Sequence, residues 1–245
     1  MLLYQQSALT MKRISLELGG NAPFIVFDDA DLDKAVNGLI AGKFRNSGQT
    51  CVSPNRILVH QKVYDHFAEK LATAVETRLK VGNGLEDDVN QGPLINQAAL
   101  DKVEGHVSDA LINGGEALVG GRRHELGLTF YEPTVLVNGL SSWKCFSEET
   151  FGPVAPLFKF ASDEEAIELA NSTKFGLAAY FFSENYKKIH LVSERIQSGM
   201  VGANTGVIST EIAPFGGVKH SGLGREGSMY GIEEYLNLKY TCISL

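Results

Sequence analysis

Basic residues and long apolar runs are scarce in this sequence of 245 residues. Its 22 Lys and Arg against 29 Asp and Glu give a net charge of -7, which argues against binding nucleic-acid phosphates. No run reaches the roughly 18 apolar residues of a membrane span, and the first residues lack the layout of a signal peptide or an Arg-rich transit peptide. We expect a cytoplasmic protein with neither nucleic acid nor membrane as partner; a eukaryotic source would make a mitochondrial location an alternative.

Cysteine is also rare. The chain has Cys51, Cys145 and Cys242, an odd number at wide spacing, which excludes a disulfide framework. There is no CxxC pair, and the six histidines show no metal-like spacing to one another or to cysteine, so no metal site is predicted. We interpret the histidines as surface or core residues, and Cys145 and Cys242 as structural.

Short apolar runs alternate with helical patterns along most of the chain. This alternation predicts βαβ units, and therefore an α/β fold with a mostly parallel sheet flanked by helices. Strands are predicted at 22–27, 56–60, 134–137, 154–160, 177–182 and 200–203. Helices are predicted after Asp31, over about 63–82 and 97–113, and after the capping box of Ser162 and Glu165.

The two ends of the chain differ from this pattern. Residues 1–20 read as a partial helix followed by an alternating strand at 13–18, and residues 235–243 read as a single strand after a glycine-rich loop. A single terminal strand needs an edge to pair with, often on another subunit. We therefore expect a homo-oligomer that forms through residues 235–243.

Residues 222–227 match the pattern GxGxxG. A dinucleotide-binding fingerprint must follow a strand and open a helix, with an acidic residue about 20 positions later. This match instead follows the loop Gly216–Ser221, and only 18 residues remain after it. We interpret it as a flexible turn.

Cys51 stands in a polar loop, Arg45-Asn-Ser-Gly-Gln-Thr-Cys51, between a helix and a strand. A lone cysteine is commonly a small buried hydrophobe. The alternative is a nucleophile, because loops next to α/β sheets often carry ligand-binding residues. Backbone N–H dipoles and Arg45 would then help to depress the thiol pKa.

Two acidic segments are further candidates. Glu17 precedes Gly19-Gly20, and this glycine pair suggests a close backbone approach at a site, although the carboxylate is equally compatible with the solvent side of a strand. Glu148 and Glu149 stand in the turn Glu148-Glu-Thr-Phe-Gly-Pro153. They are either solvated loop residues or acceptors for sugar hydroxyls.

Four segments together resemble the motifs of the aldehyde dehydrogenase superfamily, in the same order. They are Leu16-Glu-Leu-Gly-Gly-Asn21, Gly48-Gln-Thr-Cys51, Glu148-Glu-Thr-Phe-Gly-Pro153 and Pro214-Phe-Gly-Gly-Val-Lys219. Within that superfamily the chain is most similar to the succinate-semialdehyde dehydrogenases, through Asn21-Ala-Pro-Phe-Ile-Val-Phe27, Lys43-Phe-Arg-Asn46, Asn204-Thr-Gly-Val-Ile-Ser209 and Ser221-Gly-Leu-Gly-Arg-Glu-Gly227. The resemblance runs from end to end.

In that family these motifs belong to the C-terminal half. The resemblance therefore implies three parts: a remnant of the dinucleotide-binding domain at 1–19, a catalytic domain at 20–222, and a C-terminal loop with an oligomerisation strand at 223–245. It also implies that most of the site for the cofactor, NAD or NADP, lies outside this chain.

The resemblance also assigns roles. Cys51 would attack the aldehyde carbon, its backbone N–H would hold part of the oxyanion, and the resulting thioester would be hydrolysed with Glu17 as general base. Glu149 would bind the hydroxyls of the nicotinamide ribose, with Phe151 beside the ring and Leu18 as a further cofactor contact.

Arg45 and Ser209 would bind a carboxylate at the far end of the aldehyde substrate. The guanidinium is suited to this role because its fork matches a carboxylate. The implied activity is NAD(P)-dependent oxidation of succinate semialdehyde or a similar carboxylated aldehyde to the acid.

Two alternatives stay open. One is a cofactor-free cysteine hydrolase or acyl transferase that uses Cys51 with Glu17, and turnover of an activated ester without NAD(P) would favour it. The other is a non-catalytic truncated partner of full-length subunits, which size-exclusion chromatography with and without such a subunit would detect.

Overall fold

The computed structural model describes residues 2–245 and has a seven-stranded sheet at its centre. The strands of the chain are β1 Leu16–Glu17, β2 Ala22–Val26, β3 Pro54–His60, β4 Glu116–Val119, β5 Thr134–Val137, β6 Val154–Phe160, β7 Ala178–Phe182, β8 Met200–Ala203 and β9 Gly222–Leu223. The large sheet has the order β4-β5-β6-β3-β2-β7-β8. Every neighbouring pair in it is parallel except β4 with β5. The predicted α/β class is confirmed.

Helices cover both faces of this sheet. They are α1 Leu2–Ala8, α2 Leu32–Lys43, α3 Tyr64–Arg78, α4 Gln97–Ile112, α5 Lys144–Ser147, α6 Asp163–Asn171 and α7 Tyr186–Arg195. One apolar core lies between the sheet and the pair α2 and α3. A second core lies on the opposite face under α4, α6 and α7. Because a central parallel sheet is buried on both faces, its strands are apolar throughout, as in β2, where all five residues are buried.

Local signals place most of these elements correctly. The side chain of Asp31 accepts from the N–H groups of residues 33 and 34 and so caps α2, and Ser162 caps α6 in the same way.

The sequence prediction missed β4, α5 and α7. β4 is an edge strand with no buried residue and α5 is a single turn, so neither has the apolar stripe by which periodicity detects an element. α7 does have such a stripe, formed by Ile189, Val192 and Ile196, and the sequence prediction overlooked it.

The terminal strands are shorter than predicted. Of the strand expected at 13–18, only β1 forms, and it pairs antiparallel with the two-residue β9. Residues 236–245 have no strand in the single chain, so the predicted pairing of 235–243 with another subunit stays a prediction. Their apolar side chains are exposed, with Leu238 fully so, because no edge of the same chain accepts them. The predicted segment 1–19 includes Met1, which lies outside the described residues.

The GxGxxG segment takes part in this pairing. Gly222 lies opposite Glu17 in β9, and the next helical segment is the 3-10 turn Gly231–Tyr235. The segment therefore ends a strand pair and opens no α-helix, in agreement with its interpretation as a turn.

Across residues 2–245, no helix is long and apolar enough to cross a membrane, and no cluster of three potential metal ligands occurs.

Candidate active site

The candidate residues lie at the edge of the sheet where the parallel strands begin. Gly20 lies two residues before β2, Cys51 three residues before β3, and Glu149 five residues before β6. Parallel α/β sheets usually bind ligands at the carboxyl ends of their strands. Here the loops converge instead at the amino-terminal edge, as expected for a loop such as that of Cys51, which leads from a helix into a strand.

A sharp turn carries the chain from α2 to Cys51. Asn46 and Ser47 both have φ of 53°, and Gly48 has φ of 73°, so three successive residues adopt left-handed backbone that side chains disfavour. A Cβ on Gly48 would collide with the carbonyl oxygen of Gly152. The glycine therefore lets the Cys51 loop pack directly against the loop that carries Glu149.

Cys51 is half-buried, and its environment disfavours the thiolate. Burial raises the pKa of the thiol, the N–H groups of Cys51 and Val52 lower it, and the negative charges of Glu149 and Glu17 raise it again. The depressed pKa expected from the sequence is wrong for this structure, because burial and two carboxylates outweigh the backbone dipoles.

The other two cysteines differ from each other. Cys145 is fully buried, and burial raises the pKa of its thiol to about 12, so it is inert and structural as predicted. Cys242 is exposed in the C-terminal tail. Nothing in the described chain covers it, so its interpretation as a structural residue stays a prediction.

Glu17 points its carboxylate into the protein from β1. Both carboxylate oxygens are buried and have no hydrogen-bond partner among the described residues. Burial raises the pKa of Glu17, as does the charge of Glu226, whereas Arg225 lowers it. A carboxylate with a raised pKa and free lone pairs has the properties of a general base that works near neutral pH.

Glu149 faces the glycine pair before β2. Its Oε1 accepts a hydrogen bond of 2.9 Å from the backbone N–H of Gly20, and a Cβ on Gly19 would lie 2.7 Å from its Oε2. A Cβ on Gly20 would collide with the carbonyl oxygen of Cys51. The close backbone approach predicted for Gly19-Gly20 is confirmed, and it joins the Cys51, Glu17 and Glu149 segments.

Arg45 and Ser209 are both exposed on loops near the end of α2. Arg45 and Cys51 both lie close enough to Tyr180 for their charges to affect the pKa of its hydroxyl. This hydroxyl donates to the carbonyl of Val52 at 2.8 Å. Arg45 therefore lies on the Cys51 side of β7. The loop of Ser209 reaches the same helix through Gly206, which packs against the backbone of Gly38.

Comparison with known proteins shows the family of the chain. The model of the aldehyde dehydrogenase family matches residues 1–241. The chain belongs to that family. It is 58% identical to the 3-sulfolactaldehyde dehydrogenase of Pseudomonas putida and 56% identical to the NADP-dependent succinate-semialdehyde dehydrogenase of Escherichia coli K12, with 99% of this chain and 50% of each relative covered.

A solved structure gives the same result. The succinate-semialdehyde dehydrogenase of Burkholderia pseudomallei superposes with a TM-score of 0.98 at 59% identity, over 100% of this chain and 50% of that one. The chain thus spans about half the length of these aldehyde dehydrogenase relatives.

The residues of this aldehyde dehydrogenase chain fit the nicotinamide end of a dinucleotide. Glu149 is held by Gly20, its neighbours Phe151 and Leu18 are 37% and 38% exposed, and the nearby Glu17 carboxylate has no partner within residues 2–245. Leu18 and Gly19 also line an apolar cavity of about 460 Å³. Carboxylate acceptors for ribose hydroxyls and partly exposed apolar side chains therefore lie on neighbouring segments, although neither Glu149 nor Phe151 lines the cavity.

Sequence reasoning missed three buried polar residues behind this site. Asn55 hydrogen-bonds four groups, two of them on Glu148 and Thr150, and His106 contacts the same two residues. Lys43 is fully buried with an unpartnered ammonium group among the described residues. A polar residue inside a strand or on the apolar face of a helix was the available signal.

Proposed function

We propose that this chain is the catalytic part of an NAD- or NADP-dependent dehydrogenase that oxidises succinate semialdehyde, or a similar short aldehyde with an anionic far end. The observation that carries the proposal is the convergence of Cys51, Glu17 and Glu149 on one edge of the sheet. The relatives named for 3-sulfolactaldehyde and succinate semialdehyde support the substrate class, because both of those aldehydes carry an anion away from the carbonyl.

In this proposal the Cys51 thiolate adds to the aldehyde carbon. The N–H groups of Cys51 and Val52 lower the pKa of the thiol. They would also stabilise an oxyanion that forms next to the sulfur. A bound nicotinamide supplies the acceptor for the hydride. Glu17 then takes a proton from the water that hydrolyses the Cys51 thioester, and its unpartnered oxygens are available for that proton.

Cofactor binding would use Glu149, with Phe151 and Leu18 beside the ring. Arg45 and Ser209 would hold the distal anion of the substrate. Because Arg45 is exposed, its guanidinium is not committed to a buried contact in the fold.

We further propose that the chain forms homo-oligomers through residues 235–243. The support is the exposed alternation of apolar side chains in this tail, which includes Leu236, Leu238 and Tyr240. Such a segment gains both hydrogen bonds and apolar contacts when it joins a sheet edge. The division into segments 1–19, 20–222 and 223–245 and the cytoplasmic location stay predictions.

A chimera tests the proposed function. We would join this chain to the unmatched half of the E. coli relative and measure formation of reduced nicotinamide from succinate semialdehyde with NADP or NAD. We expect saturable turnover that Cys51→Ser abolishes, while Ser53→Ala leaves it measurable.

Two results would refute the proposal. The first is a chimera that folds but forms no reduced nicotinamide, which would favour the non-catalytic partner. The second is Cys51-dependent turnover of an activated succinate ester by the 245-residue chain, without NAD(P) and without aldehyde oxidation by the chimera. That outcome would favour the hydrolase.

A further inference from the structure

His106 is a buried histidine on the face of α4 that contacts the loop carrying Glu149. Its Nε2 lies 3.2 Å from Oε2 of Glu148, and its Nδ1 lies 3.1 Å from Oγ1 of Thr150. Val103, about one turn earlier on the same helix, packs so closely on Gly152 that a Cβ on this glycine would collide with its side chain. Two residues of α4 thus contact residues 148–152 of the loop.

The hydrogen-bond chemistry fixes the protonation of the ring. A carboxylate only accepts hydrogen bonds, so Nε2 carries the proton that is donated to Glu148. In the neutral ring Nδ1 is then an acceptor, and the buried hydroxyl of Thr150 donates to it. Both ring nitrogens are satisfied in this one tautomer.

Burial supports the neutral ring. It lowers the pKa of His106, and the positive charges of Lys102 and Lys144 lower it further, whereas Glu148 raises it. The balance lies below the ordinary value, so the ring is neutral at about pH 7.

The loop is extended at Glu148, the first of the two residues that His106 contacts. Glu148 has φ of -109° and ψ of 141°, and in extended backbone alternate side chains point to opposite sides. Because Glu148 and Thr150 both point toward α4, the residue between them points away from it. Glu149 accordingly faces Gly20, whose N–H donates to its Oε1.

Asn55 holds the main chain of the same loop. Its amide nitrogen donates to the carbonyl of Glu148, and its Oδ1 accepts from the N–H of Thr150, each at 2.9 Å. The side chain of Asn55 thus fixes the backbone on both sides of Glu149. It does not fix the direction in which the side chains of Glu148 and Thr150 point.

We propose that His106 is a positioning residue that fixes those side chains and thereby holds Glu149 toward Gly20 and the Cys51 loop. That Glu149 then binds a cofactor ribose rests on the function proposed above. The positioning itself is a property of the 245-residue chain and is tested without cofactor.

Amide hydrogen exchange by NMR tests the proposal on this chain. His106→Phe keeps a buried ring but removes both hydrogen bonds, and we expect it to lower the protection of the Gly20 and Thr150 amides by about tenfold, the size of one net hydrogen bond. The amide of Leu58 in the centre of β3 should change less than twofold. His60→Phe is the matched control, because His60 is also buried but lies at the opposite end of β3, and it should leave Gly20 and Thr150 unchanged.

Two milder variants keep the test valid if His106→Phe fails to fold. Thr150→Val and Glu148→Ala each remove one partner of the ring, and each should lower the protection of Gly20 by several-fold. His106→Asn, which retains an acceptor for Thr150, should restore part of it. The nitrogen chemical shifts of His106 should show protonation at Nε2 alone.

Equal loss of protection at Gly20, Thr150 and Leu58 would mean that His106 only stabilises the fold, and it would overturn the proposal. Unchanged protection of Gly20 in all these variants, or a proton on Nδ1 alone, would also overturn it. A chimera without dehydrogenase activity would refute the proposed function and leave this result unaffected, because no cofactor is present in the exchange experiment.

Discussion

Replacing Lys43 by methionine should stabilise the protein. The lysine lies in the last turn of α2 with no exposed surface, and its ammonium group has no hydrogen-bond partner in the described chain. Burial lowers the pKa of Lys43 from its ordinary value of 10.5 to about 7, although the negative charge of Glu149 opposes the shift. A methionine side chain has similar length and no charge to desolvate.

The magnitude follows from the two pKa values. Between pH of about 7 and 10.5 the unfolded chain holds a proton on this amine that the folded chain does not, so stability rises with pH in that window. At about 1.36 kcal/mol per pH unit, the lysine lowers the free energy of unfolding by roughly 4 kcal/mol at pH 7. By the same arithmetic, its effect is roughly 2 kcal/mol at pH 9.

Urea unfolding measures this effect, with the fluorescence of the single, buried Trp143 as the signal. We expect Lys43→Met to be more stable than the parent at pH 7, by up to about 4 kcal/mol, and the gain to shrink by about half at pH 9. Lys187→Met on α7 provides the matched control, because that lysine is exposed. A Lys43→Met variant that is less stable than the parent, or a gain that does not change with pH, would refute the reasoning and show that the ammonium group is stabilised where it lies.

Three further predictions concern reactivity, specificity and assembly. Iodoacetamide should alkylate the exposed Cys242 first, Cys51 next and the buried Cys145 last. Glu149→Gln should accelerate the alkylation of Cys51 by lowering the pKa of its thiol. Mass spectrometry of the peptides measures both effects, and equal alkylation rates for Cys51 and Cys145 would contradict the difference in their burial. In the chimera, Arg45→Met should raise KM for succinate semialdehyde by roughly 10- to 150-fold, because a charged hydrogen bond is lost. It should hardly change KM for an uncharged aldehyde of similar length. An equal rise in KM for both aldehydes would mean that Arg45 only shapes its loop. Leu238→Lys should weaken self-association in sedimentation measurements, whereas Lys239→Leu should not, and identical behaviour of the two would exclude a specific role for the tail.

The central fold was predictable because its signals are local. β2 and β3 are continuous apolar runs, and α2 has a capping aspartate followed by buried residues at helical spacing. Such patterns require no knowledge of what packs against them. β4 shows the limit, since an edge strand of four residues with no buried side chain has too short a pattern to differ from a loop.

The candidate residues were predictable for a different reason. Short motifs around Cys51, Glu17 and Glu149 resemble those of one family, and the glycines next to them have positions that close backbone contacts require. Their electrostatics were not predictable. The pKa of Cys51 is raised first by burial and then by two carboxylates distant in sequence, and only the tertiary structure decides how deeply a thiol is buried and which charges become its neighbours.

The sequence by itself determined the strands, most helices and the segments that carry the site, because each depends on residues close together in the chain. Only the tertiary structure decided that the segments of Cys51, Glu17 and Glu149 meet at one edge of the sheet, and that residues 236–245 join no strand within the described chain. It also decided that His106 and Lys43 lie buried behind Glu149. These features depend on contacts between residues 40 to 130 positions apart, and burial and charge at such contacts are set by packing rather than by local pattern.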